Sequence, residues 1–72
     1  MITYKVTKQQ NVIAGTTYIS YGISALNSID NNEIIRIDDI FLDKTQAICF
    51  AEKLNRLHLS PIHLRDVIED TL

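Results

Sequence analysis

Two alternating stretches on either side of Ala14-Gly15 constrain this chain more than any other feature. From Ile2 to Val12 the even positions Ile2, Tyr4, Val6 and Val12 are apolar, while Lys5, Thr7, Gln9 and Asn11 are polar. That period of two marks a half-buried strand, interrupted only at Lys8 and Gln10. From Thr17 to Ala25 the odd positions Ile19, Tyr21, Ile23 and Ala25 are apolar, and the residues between them are mostly small or polar. Ala14-Gly15 supplies the turn, because glycine reaches positive φ without steric cost. A loop of two or four residues sets Val6 opposite Ile23, Tyr4 opposite Ala25 and Lys8 opposite Tyr21, so both apolar sets share one face. A three-residue loop would send one set to solvent, since a slip of one residue flips every side chain. The expected register therefore buries Val6 and Ile23 and leaves Lys5 and Ser24 outside.

Asn27 to Asn32 reads as a turn, because its Asn, Ser and Asp side chains compete for backbone hydrogen bonds. Glu33 to Asp38 follows as a third strand, with Ile35 and Ile37 on one face and Ile34 and Arg36 on the other, and Asp38-Asp39 ends it. Asp43 is placed to cap a first helix, with Gln46 completing a capping box. Ala47, Phe50, Ala51, Leu54 and Leu57 recur at helical spacing as its buried stripe, and Ile48 and Cys49 fall off it. Ser60-Pro61 opens a second helix as cap and first residue. Its buried stripe is Leu64, Val67, Ile68 and Leu72, beside a polar stripe of His63, Asp66 and Asp70, with Ile62 pointing away. The expected fold is α+β: a three-stranded antiparallel sheet, made of a long hairpin plus a third strand, then two helices packed on one face. Residues 1–72 read as one domain.

Seventy-two residues bury only about 60% of the unfolded chain's surface, so the stability margin is thin. A lone Cys49 forms no internal disulfide, and no cysteine pair stands at zinc-ligand spacing. The 46% hydrophobic content suffices for a core. Polar residues interrupt every apolar run, which points to the cytoplasm and away from membranes. Residues 1 to 29 hold Lys5 and Lys8 and no acid, whereas residues 30 to 72 hold five basic and nine acidic side chains. No basic cluster of the kind that displaces counterions from phosphate is present, so nucleic acid is not the expected partner.

Leu59-Ser60-Pro61-Ile62-His63-Leu64, followed by Asp66-Val67-Ile68-Glu69-Asp70 and Leu72, is similar to the C-terminal signature of a family of small proteins of unknown function from clostridia and related Gram-positive bacteria. Ser20-Tyr21-Gly22-Ile23, Asp39-Ile40 and Asp43-Lys44 fit the same pattern, so the resemblance runs end to end. It implies a domain of unknown function and supplies no catalytic residue. Phe41 stands where the family has a small hydroxyl residue, and Ile48-Cys49 replace polar residues of the first helix.

Ser60, His63 and Asp66 invite a triad reading, but a serine at a helix start faces the N–H groups it caps, and hydrolase triads draw on distant segments around an oxyanion hole. His58, His63, Asp66 and Asp70 have metal-compatible donors. Only His63, Asp66 and Asp70 share one helical turn, and the preferred reading is a solvated face with Asp66 favoured by the helix dipole. Asp38, Asp39 and Asp43 lack the glycine and periodicity of a calcium loop, and Gly15 and Gly22 are too isolated to cradle phosphate. No catalytic residue, cofactor or metal ligand is therefore assigned. What remains is a noncatalytic interaction or regulatory module, with Ile34, Phe41, Ile48 and Ile62 as its apolar surface and a protein partner or a homodimer as its counterpart. The alternatives are a small metal-binding protein or enzyme using His63, Asp66 and Asp70, and a nucleic-acid-associated regulator using Lys5, Lys8 and Tyr18.

Overall fold

Ala14 and Gly15 both take positive φ, 51° and 79°, the backbone of a two-residue hairpin turn whose twist matches that of the strands it joins. In a computed structural model of residues 1–72, this turn connects β1 (Ile2–Ile13) to β2 (Thr16–Asn27), followed by β3 (Glu33–Phe41), α1 (Lys44–Arg56), a 3₁₀ turn at Pro61–His63 and α2 (Leu64–Thr71). The sheet is antiparallel in the order β1-β2-β3. The expected fold and register are both observed, with Val6 facing Ile23 and Tyr4 facing Ala25.

Both helices lie on the face that carries Tyr4, Ile23 and Ala25. Ala47, Phe50, Ala51 and Leu54 of α1 and Leu64 and Ile68 of α2 close the core against them. Ile23, Leu54 and Leu64 are fully buried, each contributing about 1.5–3 kcal/mol by leaving water. Leu57 and Leu72, expected on the buried stripes, are instead 58% and 75% exposed, because each sits at a helix end where the chain has already left the helical wheel.

Two side chains fasten α1 and the turn after it to the sheet. Asn55 Oδ1 accepts from the Tyr4 N–H at 2.7 Å and its Nδ2 donates to the Tyr4 carbonyl at 3.0 Å, so one amide closes the outer edge of β1 at that residue. The buried Tyr4 hydroxyl donates to the Leu59 carbonyl at 2.6 Å. Just past α1, His58 takes φ 50°, while its N–H reaches the Asn55 carbonyl and the Leu59 N–H reaches that of Leu54. This is a Schellman turn with histidine where glycine is usual, and it folds Leu59 back onto the core.

β3 runs three residues beyond its expected end. Asp38-Asp39 does not terminate it but forms a bulge: Ile37 pairs with Ile23 and Phe41 with Tyr21, so β3 spends four steps where β2 spends two. Asp39 absorbs the excess at φ 58°, a conformation that a short polar side chain tolerates. Gly22 lies under this bulge. A Cβ there would meet the Ile37 carbonyl oxygen at 2.2 Å and Asp38 Cα at 2.8 Å, so only glycine admits the crossing. The bulge returns Phe41 to the core side, where it is 9% exposed and packs tilted on Phe50 with ring centroids 5.4 Å apart. Phe41 is thus a core residue, contrary to the expectation that counts it with Ile34, Ile48 and Ile62 as apolar surface.

Asp43 caps α1 as expected, its Oδ1 accepting from the Thr45 N–H at 3.0 Å, although Gln46 makes no reciprocal bond. The expected cap by the Ser60 hydroxyl is absent. The His63 N–H bonds the Ser60 carbonyl instead, because a 3₁₀ turn precedes α2 and satisfies its donors through the main chain.

Candidate interaction surface

β3 ends opposite Tyr21, yet β2 continues back to Thr16 and β1 out to Ile13. The far part of the hairpin therefore stands as two strands without a third and without a helix over them. Twelve residues of strand span about 40 Å at ~3.4 Å each, which matches the molecule's long dimension of 41 Å against 27 and 19 Å. On the helix side this arm presents Lys8, Gln10 and Val12 beside Thr17, Ile19 and Tyr21. Val12 is 66% and Ile19 38% exposed, and Ile13 on the reverse side is 62% exposed.

The reverse side is polar and internally bonded. Asn11 Nδ2 donates to Ser20 Oγ at 2.9 Å, and Gln9 Nε2 donates both to Thr7 Oγ1 and to Asp38 Oδ1 at 3.0 Å. Arg36 Nε donates to the same Asp38 oxygen at 2.9 Å. That hydrogen bond, with the carboxylate's charge, raises the Arg36 guanidinium above its already high pKa. Ser24, expected outside, does point this way but is covered by Glu33, whose Oε1 accepts from its hydroxyl at 2.8 Å. The network ties the bulge to the hairpin and leaves Gln9 Oε1 shut off without a partner.

Where the arm meets the body, an open groove of about 650 Å³ lies between the end of β3, α1 and the end of α2. Phe41, Leu42, Cys49, Phe50 and Leu72 give it an apolar lining, with Gln46, Lys53 and Thr71 at its polar positions. The edge of Phe41 thus reaches a surface although its ring belongs to the core.

Ile34, Ile48 and Ile62 are 50%, 39% and 80% exposed; they sit on β3, on α1 and in the 3₁₀ turn. His63, Asp66 and Asp70 are all exposed, and no set of three His, Cys, Asp or Glu side chains is positioned to hold a metal. Ser60, exposed, accepts only through its carbonyl, so no Ser60–His63–Asp66 relay is assembled. Lys5 and Tyr18 lie on the outer side of the hairpin and Lys8 on the helix side, so strand alternation separates the three residues grouped as a nucleic-acid face. No helix is long and apolar enough to cross a membrane.

The profile of the Family of unknown function (DUF6514) matches residues 1–72. The chain belongs to that family. No curated protein and no solved structure matches it. Within this DUF6514 chain, the Ser20-Tyr21-Gly22-Ile23 segment falls where β3 bulges over Gly22, and Asp39-Ile40 forms the bulge and leads into the groove.

Proposed function

We propose that this DUF6514 chain is a noncatalytic protein-interaction or regulatory module of a bacterial cytoplasm, acting through its hairpin arm. The exposure of Val12 and Ile19 on a two-stranded projection carries this reading. A two-stranded ribbon is marginally stable by itself, and apolar side chains gathered on a small domain's projection mark a binding surface. The groove beside Phe41 and Leu42 extends the apolar strip toward the helices. Metal-assisted chemistry through His63, Asp66 and Asp70 has no comparable support, since the three are not gathered into a ligand set.

Site-specific photocrosslinking in living cells tests the reading. A photoreactive residue at position 19 is expected to yield discrete protein adducts, while the same residue at position 34, on the opposite side of the sheet, yields few. Adducts no more frequent at 19 than at 34 would remove the arm as the binding surface.

A further inference from the structure

We infer that the partner of the arm is a second copy of this chain, docked face to face about a two-fold axis. The inference rests on the arm being an interaction surface and adds what covers it. The body has two layers, sheet and helices, whereas the arm has only one. A sheet face with apolar residues is stable when another layer lies on it. Turning a second copy over by a two-fold rotation lays its arm in the layer that the helices vacate, with its tip directed toward the groove at the ends of α1 and α2. Each arm then covers Val12, Ile19 and Tyr21 of the other, and one patch serves twice, as two-fold contacts require.

Charge points to the same occupant. The arm carries Lys8 on its docking face and no acid, so it is net +1, whereas residues 30–72 are net −4. Asp39, Asp43 and Asp70 stand next in sequence to groove residues Ile40, Leu42 and Thr71. An arm of one copy thus meets the oppositely charged body of the other, whereas pairing two arms edge to edge would juxtapose lysines. Along the outer edge of β1, Asn55 closes Tyr4, and Lys8 stands exposed in the open stretch beyond it, a charge that discourages strand addition. The face is the available contact.

Sedimentation equilibrium of the full chain over nanomolar to high micromolar concentration tests this. The expected result is a monomer–dimer equilibrium for the wild type. Ile19→Lys, at a position already exposed, is expected to raise the dissociation constant at least tenfold, and Ile34→Lys on the opposite side to leave it unchanged. Because Cys49 lines the groove and is a free, exposed thiol, its reaction with a thiol reagent should slow as concentration rises through the transition. A monomer at every concentration overturns the inference, as does a dimer that Ile34→Lys breaks and Ile19→Lys spares. A monomeric chain that still crosslinks from position 19 to a different protein overturns the second copy and leaves the interaction-module reading standing.

Discussion

Ile23 and Ile19 lie on the same strand, point to the same side and are separated by one intervening inward position, yet one is fully buried and the other 38% exposed. The base of the hairpin and its arm share a strand pair, a register and an alternating pattern. They differ only in cover: the base has β3 beside it and α1 over it, and the arm has neither. Alternation therefore specifies which side of a ribbon is apolar, while the lengths of neighbouring elements decide whether that side is buried within the chain or left for a partner.

The largest expected effect comes from truncating the two isoleucines. Ile23→Ala should cost about 4 kcal/mol, as for a large side chain deleted from a closed core. Ile19→Ala should cost under about 0.5 kcal/mol in the dilute monomer. Urea denaturation at low protein concentration measures both, and equal losses would erase the distinction between base and arm. If Ile23→Ala leaves no folded baseline, Ile23→Val, at about 1 kcal/mol, preserves the comparison. Gly22 stands at the boundary of the two regions. Gly22→Ala should cost about 3 kcal/mol by forcing the bulge off the strand, and a cost below about 0.5 kcal/mol, the level of an ordinary surface substitution, would show that β3 does not cross there so closely.

A smaller effect concerns the base and has a pH signature. Burial pushes the Tyr4 hydroxyl above its ordinary value of 10.0, so the folded chain holds that proton to higher pH than the unfolded chain does. Its contribution is complete below the ordinary value and is lost as pH rises through the raised folded value. Tyr4→Phe removes the hydrogen bond to Leu59 and should cost about 1 kcal/mol at neutral pH. The same variant should flatten the alkaline decline in melting temperature, and an unchanged decline would assign it to other groups. The smallest effects are gains. Ala14 and His58 hold positive φ, which costs an ordinary L-residue roughly 1–2 kcal/mol, so Ala14→Gly and His58→Gly should each stabilise by about 0.5 kcal/mol after glycine's added chain entropy. Thermal denaturation of each variant checks this, and a fall in melting temperature would contradict it.

The hairpin, its register and the inward stripes of both helices were legible because each depends on local periodicity and on one tight turn. Phe41 was not, because Asp38-Asp39 read as the end of β3, whereas the strand bulges there and runs on to Phe41, which keeps the side of Ile35 and Ile37. Gly22 did carry a signal, since a glycine inside a strand pattern points to a bulge or a close backbone approach, and Asp38-Asp39 is as compatible with a bulge as with a strand end. Ser60 misled because Ser-Pro is equally at home before a 3₁₀ turn, whose main-chain bonds leave the hydroxyl free. Of the surface residues singled out from the pattern, Ile34, Ile48 and Ile62 are exposed. The arm itself was missed, because Val12 and Ile19 fit the inward alternation and only the early end of β3 leaves them uncovered.

Amide hydrogen exchange at two protein concentrations tests the division between base and arm most directly. Since the Tyr4 main chain bonds Asn55, strand alternation directs the amides of Lys5 and Asn11 across to β2 and those of Ser24 and Tyr18 back to β1. In dilute solution Lys5 and Ser24 should exchange only through global unfolding, and Asn11 and Tyr18 about a hundredfold faster through local opening of the arm. At high concentration the second pair should slow toward the first as a second copy covers the arm. Uniform protection of all four at both concentrations would contradict the account.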